Sequence, residues 1–171
     1  MPLYYSGIGA YVRKGDNKIR SVADINSPDL RIATVEGEMT NIIARQQFPK
    51  AQKVTLPQLS EVSQVLIQLE QNKADVTFVE PFQANEFMAS RGEVFENIAQ
   101  DTPLRVFGNT LMFAKGEFKL QSMLNTALQE DLQSGFVKES IAKYKGAAAS
   151  LYPVKPPFDP PYSKPQVQAK Q

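Results

Sequence analysis

An α/β fold, with a mainly parallel sheet flanked by helices, is what the sequence predicts, and three observations carry it. Short β-rich runs alternate with amphipathic stretches along the body of the chain, the pattern of βα units. One run, Asp75-Val76-Thr77-Phe78-Val79, is apolar nearly throughout, as expected of a strand covered on both faces. Just ahead of it, Leu59, Val62, Val65, Leu66 and Leu69 recur at three- and four-residue spacing, the most regular helical stripe in the chain.

The elements follow in order. Gly9 to Arg13 reads as a strand ending at Lys14-Gly15-Asp16-Asn17. Ser21-Val22-Ala23-Asp24 has a capping-box pattern and opens a short helix. Arg31 to Val35 is a strand stopped by Glu36-Gly37, and Met39 to about Phe48 a helix ended by Pro49. Lys53 to Leu56 is a strand that Pro57 breaks before the striped helix. After Val79, Glu80 and Pro81 fit the N-cap and first-turn positions of a helix running to about Arg91. Gly108 to Ala114 is a further strand. Two helices close the body, Phe118 to Leu132 and, past Ser134-Gly135, Phe136 to Tyr144. Six of the twelve prolines fall between Leu151 and Gln171, so this tail is expected to be extended and weakly ordered.

Composition removes whole classes of function. Nineteen basic against eighteen acidic residues leave a net charge of +1 with no run of five like charges, so neither nucleic acid nor an anionic membrane is an expected partner. The sequence has no Cys and no His, which excludes thiolate and imidazole metal ligands and the nucleophile–base pairs built on them. No catalytic residue, metal site or cofactor is expected. Met1 to Gly7 has neither a basic leader nor an apolar run and is not expected to be a signal peptide, and no apolar run approaches a membrane span.

The order Tyr4-Tyr5-Ser6-Gly7, Arg13-Lys14-Gly15, Ser21-Val22-Ala23-Asp24-Ile25, Arg31-Ile32-Ala33-Thr34-Val35-Glu36-Gly37 and Ala74-Asp75-Val76-Thr77-Phe78-Val79-Glu80 resembles the extracellular solute-binding proteins of family 3. Pro103-Leu104, Asn109 to Gly116, Leu124-Asn125-Thr126-Ala127-Leu128 and Gly135-Phe136-Val137 to Lys143-Tyr144 continue the likeness, which spans Leu3 to Gly146. It implies a periplasmic-binding-protein-like lobe with the C-terminal helices of the other lobe. Residues 1–15 are then the first crossing strand and a remnant of lobe 1, 16–107 lobe 2, 108–146 the return strand and C-terminal helices, and 147–171 the Pro-rich tail. The implied function is the solute-binding component of an ABC-type uptake system, capturing a small polar ligand, an amino acid, between two lobes and delivering it to a membrane permease. The alternative is the ligand-sensing module of a transmembrane signalling protein. Either implies a periplasmic or extracellular location and no enzymatic activity. The resemblance also places most of lobe 1, with the arginine that clamps the ligand carboxylate, outside these residues. Left without that cover, the chain is expected to self-associate through the C-terminal helices or hinge strands, or to be covered by a separate first-lobe chain.

Ligands of open parallel sheets sit beyond the carboxyl ends of the strands. Glu36, Gly37, Glu38 and Thr40 follow one such end. Amides of the helix start and the Thr40 hydroxyl suit a ligand carboxylate, although Glu38 stands where the family usually has Thr, and a plain helix start with acidic residues in its first turn reads equally well. Glu80 matches the strand-end acid, usually Asp, that holds the ligand's amino group in the family; the other reading is a simple N-cap before Pro81. Leu56-Pro57-Gln58 reads as a connection. Tyr4 and Tyr5 suit an aromatic wall or ordinary packing, and Asn109 and Thr110 suit the hinge lining.

Overall fold

The first strand organises the molecule, which a computed structural model describes over residues 1–144 and 151–154. β1 (Tyr4–Arg13) takes β4 (Val76–Val79) along Gly9 to Val12 and β7 (Leu151–Pro153) along Tyr4 to Ser6. It also takes β5 (Phe95–Asn97) along Tyr11 to Arg13 and β6 (Arg105–Asn109) along Tyr4 to Ile8. The Ile98 and Leu104 amides donate to the Ala10 and Ile8 carbonyls, so β5 and β6 share one edge of β1 and leave the other to β4 and β7. Beyond β4 lie β2 (Arg31–Val35) and β3 (Gln52–Leu56), giving the order β3-β2-β4-β1-β5. The sheet expected to be mainly parallel is so in direction, since every strand except β1 runs the same way. In pairing only β3-β2-β4 is parallel, because β1 lies antiparallel among its four partners.

Helices α1 (Met39–Gln47) and α2 (Val62–Glu70) are the crossovers that return the chain to the same end of the sheet, and α3 (Pro81–Ala89) follows β4. Period-two alternation sorts the strands' side chains into two clusters. Ile8, Ala10, Val12, Ile32, Val76 and Phe78 meet Ile43 and Phe48 on the α1 face, where the Phe48 and Phe78 rings pack tilted at 36° with centroids 5.4 Å apart. Tyr11, Ala33, Val35 and Val79 meet Leu66, Leu69 and Phe87 on the α2–α3 face.

Ions lock the pole where β2 and β4 begin. Asp75, 2% exposed, accepts from Arg31 Nε (2.9 Å), Arg31 Nη2 (3.0 Å) and the Arg31 amide (3.0 Å), with Arg13 and Lys18 beside it. Burial opposes its ionisation, but the hydrogen bonds and charge of Arg31, with Lys18, outweigh burial and hold its pKa at about 2. Arg13 Nη1 also donates to the Leu69 and Ala74 carbonyls, tying the end of α2 to β1.

Several boundaries differ from expectation. β1 starts at Tyr4 rather than Gly9, because β6 and β7 pair its first half. The return strand is Arg105–Asn109 rather than Gly108 to Ala114, since the partners that β1 offers run out opposite Asn109. Leu59 is not part of the α2 stripe. It sits in a turn closed by the Ser60 amide on the Pro57 carbonyl, with φ +69 and 89% exposed, and α2 begins only after Glu61. The Ser21 segment is a 3-10 turn (Val22–Ile25) in which the Asp24 carboxylate accepts from the Ser21 amide and hydroxyl. β5 was not foreseen. Nor was β7, a strand within the tail assigned to 147–171; the tail from 155 on lies outside the described residues.

The chain then forms α4 (Phe118–Gln133) and α5 (Phe136–Lys143), parted by Gly135 at φ +82. They pack on each other, and α5 reaches β7, but neither buries a residue. Among the described residues no helix is long and apolar enough to cross a membrane.

Candidate functional site

The parallel register brings three strand ends together. Val35 lies opposite Leu56, and Ile32 and Ala33 lie opposite Val76 and Thr77. Carried forward, the second pairing sets Val35 beside Val79, so Glu36 and Glu80 are the next residues on neighbouring strands, with Pro57 flanking them on β3. The helix-bearing ends of β2, β3 and β4 thus form one shelf, which the first half of β1 borders.

Each side chain on the shelf has a local cause for its position. The Glu36 amide donates to the Leu56 carbonyl (3.0 Å), and the Glu38 amide closes a turn on the Val35 carbonyl (3.2 Å). That turn holds Gly37 at φ +77, a conformation costly for any side-chain-bearing residue, and a Cβ there would lie 3.8 Å from the Gln58 amide nitrogen. The Thr40 hydroxyl oxygen accepts from the Val35 amide (3.1 Å), which leaves its own proton to donate elsewhere. Met39 and Thr40 open α1, and their amides find no carbonyl within the helix, whereas the Asn41 and Ile42 amides reach the Glu38 carbonyl. Glu38 is the N-cap of α1 in position only, because its side chain makes no capping bond.

Glu80 likewise occupies the N-cap position of α3 without capping it. Its carboxylate turns back over the sheet, where Oε1 accepts from the Ser6 hydroxyl at 3.3 Å, and Ser6 Oγ in turn accepts from Asn109 Nδ2 at 3.1 Å. Glu80 therefore holds the N-cap position expected of it but contributes no side-chain capping bond. Among the described residues none of Glu36, Glu38 and Glu80 belongs to an ion pair.

Tyr5 is the predicted residue that the fold sets apart. Alternation along β1 puts Tyr4 and Ser6 on the face that carries Glu36, Glu80 and Asn109, and turns Tyr5 to the other. There its ring lies along Gly108, 3.3 Å from where a Cβ would stand. Sequence reasoning names Tyr4 with Tyr5 as an aromatic candidate, whereas it gives Ser6 no role. The signal was present for Ser6: counting back by twos from Val12, Ala10 and Ile8 lands on a serine in line with a core face, 3% exposed and so in need of a polar partner.

The shelf is open rather than enclosed. A groove of 640 Å³ lies elsewhere, between α3 and β5, lined by Gly9, Tyr11, Asn85, Met88 and Asn97 among others, and includes none of Tyr5, Glu36, Gly37, Glu38, Thr40 or Glu80. Among the described residues no cluster of acidic side chains has the spacing of a metal site.

The arrangement of sheet, crossovers and closing helices is the fold of amino-acid-binding proteins of ABC transporters. A probable amino-acid ABC transporter extracellular-binding protein from Bacillus subtilis matches with a TM-score of 0.68 and 19% identity, covering 86% of this chain and 63% of its own. A putative binding component of an ABC transporter from Wolinella succinogenes, complexed with lysine, matches at 0.66 and 23%, covering 81% and 58%. An amino acid ABC transporter substrate-binding protein from Streptococcus pneumoniae, bound to L-arginine, matches at 0.62 and 21%, covering 90% and 61%. No protein-family model matches the sequence, and no curated protein does, so the likeness resides in the fold. The chain spans about three-fifths of the length of these structures.

Proposed function

We propose that the shelf is one jaw of a two-jawed clamp for a small polar solute, an amino acid, in an ABC-type uptake system. The observation that carries this is the meeting of Glu36 and Glu80 on adjacent strand ends, with the first turn of α1 and the Thr40 hydroxyl beside them. Glu80 receives the ligand ammonium in a charge-assisted hydrogen bond. The Thr40 hydroxyl and the amides of Met39 and Thr40 receive its carboxylate. Of the two tyrosines offered as an aromatic wall, Tyr4 takes that role, since it shares the face of Glu80.

Glu36 and Glu38 sharpen the choice of solute. Unpaired carboxylates beside the site favour a ligand that brings a second positive charge, and solved neighbours hold lysine and L-arginine. Binding needs no nucleophile, and an unpaired carboxylate suits an ammonium partner, so the reading is a binding protein rather than an enzyme. Its partner is a membrane permease and its place outside the cytoplasmic membrane, by likeness to the same neighbours.

A thermal-shift and NMR titration screen of the chain against amino acids tests the reading, because a selective ligand raises apparent stability. Lysine or arginine should perturb the amides of residues 36–40 and 80 at millimolar concentration, the weak range expected of one jaw. Glu80→Gln should weaken that binding about tenfold, the loss of one charge-assisted bond. Perturbation confined to the groove between α3 and β5 would place the ligand elsewhere and end this assignment.

A further inference from the structure

Ser6 is one of five buried polar or charged side chains among the described residues. The other four serve the fold: Thr34 and Asn41 bond to each other, Thr77 bonds to the Ala33 carbonyl, and Asp75 holds Arg31. Ser6 alone points its proton at a carboxylate on the shelf. Its oxygen accepts from Asn109 Nδ2, so its single proton is committed to Glu80 Oε1, and the relay runs in one direction from β6 through β1 to the end of β4. Asn109 is itself fastened, its carbonyl accepting from the Leu3 amide at 2.8 Å. The relay draws the Glu80 carboxylate away from the N-terminus of α3, where helix amides would otherwise compete for it. Among the described residues Glu80 Oε2 takes no hydrogen bond.

We propose that Ser6 and Asn109 are positioning residues for ligand recognition: the Asn109–Ser6 relay fixes the Glu80 carboxylate on the shelf and leaves Oε2 to accept from the ligand ammonium. This rests on the functional reading above and adds to it the two residues that set the carboxylate's orientation. A carboxylate held in place loses less freedom when the ammonium arrives, so the relay raises affinity for the charged amine without touching the ligand.

The test is an NMR titration of the chain with L-lysine, L-arginine and L-glutamine, each compared with its Nα-acetyl derivative, which lacks the α-ammonium. Ser6→Ala and Asn109→Leu should each weaken the free amino acid about tenfold and leave the acetylated form unchanged; Ser6→Ala added to Glu80→Gln should cost nothing more. Should Ser6→Ala fail to fold, Asn109→Leu at its half-buried position carries the same comparison. Equal weakening of both ligand forms, or full additivity with Glu80→Gln, overturns the relay. Loss in Glu80→Gln without loss in Ser6→Ala or Asn109→Leu removes the relay and leaves Glu80 standing. No loss in Glu80→Gln, or no binding by the unaltered chain, removes the functional reading and the relay together.

Discussion

Two amphipathic helices of this chain follow the same rule and end in opposite states. α2 carries Val65, Leu66 and Leu69 on one side and buries all three against β2 and β4. α4 carries Leu120, Met123, Leu124, Ala127, Leu128 and Leu132 at the same spacing and buries none. Periodicity specifies which face of a helix is apolar, but what covers that face is a property of the tertiary neighbours, and only the sheet has supplied them. Stability in this chain should accordingly be concentrated in the sheet and its three helices, with α4 and α5 contributing little.

The sharpest way to break that contrast is to remove matched side chains from both regions. Phe78 is wholly buried between Phe48 and the strands, so Phe78→Ala should cost about 4 kcal/mol in urea unfolding, the usual sum of lost transfer energy and residual cavity. The contrast fails if the loss is no larger than that of a surface change.

Electrostatics give the next largest effect. The Asp75 carboxyl titrates at about 2 in the folded chain, against about 3.9 for an unfolded aspartate. A depressed folded pKa means that its contribution is complete above about pH 4 and is lost as the pH falls toward 2, and the difference amounts to about 2 kcal/mol. Urea midpoints measured at pH 5 and pH 2 should show this drop, and Asp75→Asn should flatten it while lowering stability at pH 5. An unchanged pH profile in that variant would mean that the Arg31 pair does not lock the sheet.

Smaller still is the strand-end turn. Gly37→Ala meets only an ordinary contact with the Gln58 amide nitrogen at 3.8 Å, so its cost is that of a left-handed backbone, about 1 kcal/mol by thermal melting. A larger loss would show that the turn also packs, and would weaken its assignment to ligand approach.

How much of this was legible beforehand follows from the range of the forces involved. Local signals placed α1, α3, α4 and α5 within a few residues, because Pro49, Pro81 and Gly135 stop or start helices through backbone geometry alone. Glu36, Gly37, Glu38, Thr40 and Glu80 were found as strand-end residues for the same reason. Long-range pairing was not visible. The first half of β1 is a strand because β6 and β7, about a hundred residues or more away, flank it, and nothing in Tyr4 to Ile8 announces those partners. The opposite faces of Tyr4 and Tyr5 went unread for the same reason, since a strand begun at Gly9 assigns no face to residues before it. Leu59 failed for another reason: its spacing matches α2, but the turn after Pro57 takes it out of the helix, and a left-handed leucine is a conformation that propensity argues against.

The finest prediction concerns the uncovered face itself. Met123 is 70% exposed and Phe136 58%, so Met123→Lys and Phe136→Lys should each change the unfolding free energy of the dilute chain by less than about 0.5 kcal/mol, as substitutions at open surface positions do. The same pair separates two states of the helices. If α4 and α5 pack against a second copy in solution, sedimentation velocity should show association that grows with concentration, and lysine in the apolar stripe should suppress it, because burying an unpaired ammonium costs far more than the contact returns. A loss of 2 kcal/mol or more in the dilute monomer would instead mean that the stripe folds back onto the chain's own sheet. The helices would then belong to the same cooperative unit as α2, and the difference between the two regions would be one of geometry rather than of missing cover.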